Sequence, residues 1–122
     1  MLFATGLAWL ALDRVPEGGD GFEPPRAHPA LAWLLAVHGT FAMAALLLAG
    51  ALAALHVRPA WPSGRNRRSG IPALAAGALL VGTAPLLYYA GSDELRGWAS
   101  DLHIAAGVAL PIALFVHRRG AR

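Results

Sequence analysis

The chain has 122 residues, of which 57% are hydrophobic and 14% are charged, and its ten basic residues, all of them arginine, outnumber seven acidic ones for a formal net charge of +3. Soluble domains carry about a quarter of their residues charged, so this composition is typical of a membrane protein. The absence of cysteine excludes disulfides, thiolate metal sites and covalent haem attachment. The arginines do not interleave with aromatic residues on a polar surface, so no nucleic-acid partner is predicted.

The apolar residues fall into four segments that are predicted to be membrane helices. In chain order they cover approximately residues 1–12, 29–57, 71–90 and 98–116. A span needs about 20 apolar residues, so the last three are long enough. The first is short, and it lacks the cationic start and the cleavage site of a signal peptide. The sequence therefore predicts one all-α domain over residues 1–122, an integral membrane four-helix bundle with a short first span.

The charged residues predict the orientation of these spans. The loop after the first span and the region before the fourth are mainly acidic, with Asp13, Glu17, Asp20, Glu23, Asp93, Glu94 and Asp101. The loop after the second span and the tail carry arginine and no acid, with Arg58, Arg65, Arg67, Arg68, Arg118, Arg119 and Arg122. Arginine-rich loops stay in the cytoplasm, so both termini are expected inside.

Four of the five histidines lie in the predicted spans, two in the second and two in the fourth. Polar side chains are costly in a membrane and tend to face the bundle interior or a functional group. His28 differs, because it lies in the proline-rich loop and is expected to be an ordinary solvated residue. The histidines in the spans are His38, His56, His103 and His117.

The spacing of these four histidines predicts two ligand pairs. His103 and His117 are 14 residues apart, about 21 Å along a helix and within about 40° of one face. His38 and His56 are 18 apart, about 27 Å, and return to the same face of an ideal helix. Both spans run from outside to inside, so each level holds one imidazole from each helix, with an offset of about 6 Å. This is the bis-histidine arrangement that ligates a b-type haem, and two haems are expected, held by His38 with His103 and by His56 with His117.

Small residues next to the outer histidines fit a flat macrocycle between helices. Ala42 follows His38 by four residues, and Gly107 follows His103 by four. Small residues also allow membrane helices to approach closely without any cofactor. Zinc or copper is not favoured, because such a site needs three or four converging ligands, whereas the histidines fall in two pairs about 20 Å apart.

A short internal repeat supports two related helix pairs. "ATGLAWLAL" in the first span and "GTAPLLYYA" in the third each lead through an acidic loop into a histidine-bearing helix.

Three stretches of the sequence carry a resemblance to a known family: "HGTFAMAALLLAGALAALHVRPAW", "RNRRSG" and "TAPLLYYAGSDELRGWASDLHIAAGVALPIALFVH". From about Thr5 to Gly120, the chain resembles a small bacterial membrane family of cytochrome b561 type. The resemblance implies a four-helix di-haem b cytochrome of the bacterial inner membrane. The resemblance further implies that the protein carries electrons in or across that membrane, with the four histidines as the axial ligands in the same two pairs.

Further residues and partners are predicted around this core. Arg96 is a candidate for pairing with haem propionates at the outer end, and Arg67 and Arg118 at the inner end, although arginines there also set topology. The candidate partners, besides membrane lipid, are quinol, a periplasmic redox protein, or a larger respiratory or photosynthetic-type complex. The alternative is a non-redox accessory subunit in which histidines form interhelical hydrogen bonds. A transporter has little support, because no span carries a broken-helix motif and no carboxylate lies deeper in a span than Asp101, near the start of the fourth.

Overall fold

A computed structural model of the chain describes residues 1–15 and 27–120, and this part of the chain consists of helices joined by short turns, with no strand. Three helical segments in it are long and apolar enough to cross a membrane: Ala30–Ser63, Arg67–Tyr89 and Asp93–Gly120. The apolar helix Leu2–Asp13 is shorter, as predicted. The acidic residues predicted between the first two spans, Glu17, Asp20 and Glu23, lie outside the described residues, as does Arg122.

The first two helices are α1, Leu2–Asp13, and α2, Ala30–Leu52. Alanine and leucine dominate both, and these residues have the highest helix propensity. After α2 the chain stays helical but changes its winding. A π turn covers Ala53–Val57, and it is followed by a further α-helical turn at Arg58–Ala60 and a 3₁₀ turn at Trp61–Ser63.

The last two helices are α3, Arg67–Tyr89, and α4, Asp93–Gly120. Gly64 and Asn66 precede α3 with positive φ angles of 70° and 58°, which break the helix between Ser63 and Arg67. Both helices extend beyond the predicted apolar spans. At the start of α4 the backbone N–H of Leu95 donates to Ser92 Oγ at 3.2 Å, and acidic residues in the first turn favour the positive end of the helix dipole.

The described residues divide into two compact units, one within residues 1–59 and one within residues 60–122. In the first, α1 packs along α2; in the second, α3 and α4 form an antiparallel hairpin. The buried residues of the second hairpin are all small: Ala76, Thr83, Ala90, Ala99 and Ala106. Small side chains at the contact let two membrane helices approach closely.

The hairpin seam follows a heptad pattern. Along α4 the less exposed residues recur in alternating steps of four and three: Ala99, His103, Ala106, Leu110, Ala113 and His117. Along α3 the corresponding series is Ser69, Ala73, Ala76, Leu80, Thr83 and Leu87. This 3.5-residue period keeps one stripe facing the partner over the whole length of two supercoiled helices. Two histidines and two hydroxyl residues therefore lie in a seam that is otherwise made of alanine and leucine.

Candidate functional site

Three of the histidines in the helices have a ring nitrogen in contact with a hydroxyl on the preceding helix. In the first unit, Thr5 Oγ1 of α1 lies 3.0 Å from His38 Nδ1 of α2. In the second unit the same contact occurs twice. Thr83 Oγ1 lies 2.8 Å from His103 Nδ1, and Ser69 Oγ lies 3.0 Å from His117 Nδ1. All three are hydrogen-bond distances, so each of these three imidazoles is oriented within its own helix pair.

The two contacts of the second unit form equivalent layers of one hairpin. Ser69 and Thr83 are 14 residues apart on α3, and His103 and His117 are 14 apart on α4. Fourteen residues are two heptads, so both layers occupy the same position of the supercoil, about 21 Å apart. The hairpin thus carries one oriented imidazole near each end.

Two glycines leave room for the histidine rings beside the neighbouring helix. A Cβ atom added at Gly6 would lie 3.3 Å from His38 Cε1, and one added at Gly70 would lie 3.4 Å from His117 Cε1. Each of these glycines directly follows the hydroxyl residue of its pair in the sequence. A hydroxyl residue followed by glycine therefore provides both the hydrogen-bond partner and the space for the ring.

His56 lies in the π turn Ala53–Val57 and is exposed. The prediction that it returns to the face of His38 assumed an uninterrupted α-helix. A π turn takes in one residue more than an α turn, so the rotation between the two histidines falls short by up to about 100°. π turns within α-helices are frequent at functional sites.

The predicted ligand partners lie in different units: His38 and His56 in the first, His103 and His117 in the second. The pairing of His38 with His103, and of His56 with His117, stays a prediction. His28 is placed just before α2, where its Nδ1 accepts a hydrogen bond of 3.1 Å from the backbone N–H of Ala30. It contributes to the start of that helix.

The small residues predicted beside the ligands, Ala42 and Gly107, are both partly buried. A Cβ added at Gly107 would meet Leu80 Cδ2 at 3.9 Å, which is an ordinary van der Waals contact. Packing within the hairpin therefore does not require glycine at position 107.

Two of the predicted arginines contact neighbouring groups of the second unit. Arg96 forms an exposed ion pair of 3.1 Å with Asp93 and donates a 3.0 Å hydrogen bond to the Ala90 carbonyl. Arg67 donates from Nε to the Trp61 carbonyl at 2.9 Å, and its guanidinium lies 5.1 Å from the centre of the Trp61 ring. Arg118 is exposed in the last turn of α4. Their predicted contacts with propionates stay predictions.

No protein-family model, curated protein or solved structure matches the chain. The resemblance to the cytochrome b561-type family therefore stays a prediction. Within residues 1–15 and 27–120, no three histidine or acidic residues gather in a group that would hold a metal ion. A haem centre needs only two axial ligands, so it does not require such a group.

The chemistry of the side chains fits a haem with histidine ligands. A histidine that ligates a metal through one nitrogen usually has the other nitrogen held by an outer hydrogen-bond partner. His38, His103 and His117 have such a partner at Nδ1.

The sequence predicts these histidines as ligands but does not reveal the roles of Thr5, Gly6, Ser69, Gly70 and Thr83. Two signals were present in the sequence. Thr5 and Thr83 occupy the same position of the internal repeat, and Ser69 and Thr83 share the 14-residue spacing of His103 and His117.

Proposed function

We propose that this chain is a di-haem b-type cytochrome that carries electrons within or across the bacterial inner membrane. In this proposal the helices form a four-helix bundle with both termini in the cytoplasm. The outer haem is held by His38 and His103, and the inner haem by His56 and His117. A haem iron with two histidine ligands has no open position, so it exchanges electrons and binds no substrate.

One observation carries the proposal: His103 and His117 recur two heptads apart in the α3–α4 seam, each with its ring held by a hydroxyl. Polar residues inside a membrane helix are costly and mark functional positions. A relay needs two equivalent imidazoles at two depths, and one membrane-spanning helix supplies both.

The proposed electron donor is a quinol or a partner subunit, and the acceptor is a redox protein of the periplasm. The acidic end of the α3–α4 hairpin, with Asp93, Glu94 and Asp101, suits the docking of a basic protein surface. We also propose that the chain works within a larger respiratory or photosynthetic-type complex.

The test is haem quantification on purified protein expressed with ample haem. We expect about two haems per chain, and about one after either His38→Gln or His103→Gln. Because these two histidines share one haem, the double variant should keep the same single haem. A double variant across the pairs, His38→Gln with His117→Gln, should lose both. His28→Gln is the matched control and should keep two.

Colourless wild-type protein would overturn the proposal. If His38→Gln and His103→Gln each lose one haem and their double variant loses both, the pairing of these two histidines on one haem is wrong.

A second function is favoured by the hydrogen bonds themselves. A non-redox accessory subunit would use the Thr83–His103 and Ser69–His117 contacts to hold its helices together, each contributing about 0.6–2 kcal/mol. In that case wild-type protein binds no haem. His103→Gln would then lower the thermal stability of the hairpin and leave the activity of the larger complex nearly intact.

A further inference from the structure

In all three histidine contacts, the hydroxyl oxygen also lies within hydrogen-bond distance of a backbone carbonyl oxygen about one turn earlier in the chain. Thr83 Oγ1 lies 2.7 Å from the Leu79 carbonyl oxygen of its own helix, one turn earlier. Thr5 Oγ1 lies 3.0 Å from the Leu2 carbonyl, and Ser69 Oγ lies 3.1 Å from the Asn66 carbonyl. Serine and threonine in helices commonly donate to such carbonyls.

A hydroxyl has one proton to donate and two lone pairs to accept with. A carbonyl oxygen has no proton, so a hydroxyl that bonds a carbonyl must donate its proton there. The same hydroxyl oxygen then meets the histidine Nδ1 as an acceptor, and Nδ1 must carry a hydrogen. The geometry is clearest at Thr83, where the distances to Leu79 O and to His103 Nδ1 are 2.7 and 2.8 Å.

We propose that Thr5, Thr83 and Ser69 are positioning residues that fix His38, His103 and His117 in the Nδ1–H tautomer. In a neutral imidazole of this form, Nε2 carries the lone pair that a metal needs. The hydroxyls thus select the ligating nitrogen before any cofactor arrives. The part of this inference that concerns the tautomer stands on the contacts alone, and the part that concerns haem rests on the proposed function.

The same hydrogen bonds affect the redox properties of a bound haem. An acceptor at Nδ1–H makes the imidazole a more basic ligand. A more basic ligand stabilises ferric over ferrous iron, so each hydroxyl lowers the potential of the haem that its histidine ligates. Removing the hydroxyl is expected to raise that potential and to weaken haem binding by about 10- to 100-fold.

The first experiment uses haem-free full-length protein labelled with ¹⁵N at histidine. NMR shifts distinguish a protonated Nδ1 from an unprotonated one, and we expect Nδ1–H at His38, His103 and His117. Thr83→Val keeps the side-chain shape without the hydroxyl, and it should alter the His103 signals while leaving His117 unchanged. Thr83→Ser should restore them.

The control is Thr40→Val. Thr40 also donates to a carbonyl of its own helix, that of Ala36 at 2.8 Å, but it is exposed on α2 and should leave the signals of all three histidines unchanged. Unprotonated Nδ1 at these histidines in the wild type would overturn the inference.

The second experiment is a redox titration of the haem-loaded protein. Thr83→Val should raise the midpoint potential of the haem that His103→Gln abolishes, and Ser69→Ala should raise that of the other haem. A tenfold change in the ratio of ferric to ferrous affinity corresponds to about 59 mV for one electron.

The two experiments separate failure of the inference from failure of the proposed function. Wild-type protein that binds two haems, with potentials and tautomers unchanged in Thr83→Val and Ser69→Ala, overturns the inference alone. Wild-type protein that binds no haem but shows the three Nδ1–H signals overturns the proposed function and leaves the tautomer assignment in place.

Discussion

Thr83 is 5% exposed, and it is the only polar residue that is buried within residues 1–15 and 27–120. A buried hydroxyl costs free energy unless its hydrogen bonds are made. Thr83 makes both, one to the Leu79 carbonyl and one to His103. A polar pair is thereby accommodated in a seam of alanine and leucine. The satisfied pair orients the ring, which a hydrophobic residue at position 83 would not do.

Gly6 offers a test of the space around a ring. In Gly6→Ala the new Cβ would approach His38 Cε1 to 3.3 Å, so the ring must move by a few tenths of an ångström. This overpacking should strain the 3.0 Å contact between Thr5 and His38. We expect a cost of about 1 kcal/mol, which is about a fivefold weaker haem binding at the level of His38. Haem titration of the apo-protein measures it.

The matched control is Gly50→Ala on α2, where an added Cβ meets no atom within 4 Å. Equal haem affinity in the two variants would show that Gly6 has no role in placing the His38 ring.

At the scale of single residues, the sequence shows that the histidines are candidate functional residues, but it does not show which residues surround their rings. Histidine is conspicuous in an apolar helix because its cost there demands a reason. Threonine, serine and glycine are common in membrane helices for other reasons, so Thr5, Ser69 and Gly70 do not stand out by type. Their roles depend on which helix lies opposite, and that is a property of the folded hairpin.

At the scale of helices, apolar length alone predicts that the membrane segments exist, and the part of the chain that the structure describes has three helices of sufficient length. The ends are less predictable. α3 begins at Arg67 and α4 at Asp93, in charged turns beyond the apolar stretches. The acidic residues at the start of α4 interact favourably with the helix dipole. The arginines at the start of α3 are exposed to solvent, so this helix too continues where hydropathy falls. The π turn at Ala53–Val57 has no signal in composition at all.

The π turn makes a prediction at the level of the element. Deleting Ala54 should convert the turn to regular α-helix, because a π turn contains one extra residue. The extra residue is then no longer present to be absorbed, so His56 should keep its rotation relative to α2, and we expect two haems and an unchanged helix content by circular dichroism. In an uninterrupted α-helix the same deletion would rotate His56 by about 100° and remove the inner haem.

The control for this deletion is Ala54→Leu, which changes an exposed side chain but keeps the residue count. We expect it to bind two haems. If the deletion variant loses the inner haem while Ala54→Leu keeps it, the deleted residue was not the extra residue of a π turn.

At the scale of the whole molecule, charge is distributed unevenly along the α3–α4 hairpin. One end carries five arginines and no acid: Arg65, Arg67, Arg68, Arg118 and Arg119. The other end carries Asp93, Glu94 and Asp101 with Arg96. The hairpin is antiparallel, so the start of α3 and the end of α4 lie together. Arginine-rich ends tend to remain in the cytoplasm during insertion, and the proposed topology therefore places this end of the hairpin inside.

The absence of cysteine makes this direction measurable, because a single introduced thiol is labelled without background. Gly91→Cys, where an added Cβ meets nothing within 4 Å, reports on the acidic end, and Ser63→Cys reports on the arginine end. With a membrane-impermeant maleimide on spheroplasts, we expect Gly91→Cys to be labelled at once and Ser63→Cys only after permeabilisation. The reverse pattern would place the arginine end outside and contradict the proposed topology. Neither thiol touches a histidine pair, so haem content should be unchanged in both variants, and the labelling reads orientation alone.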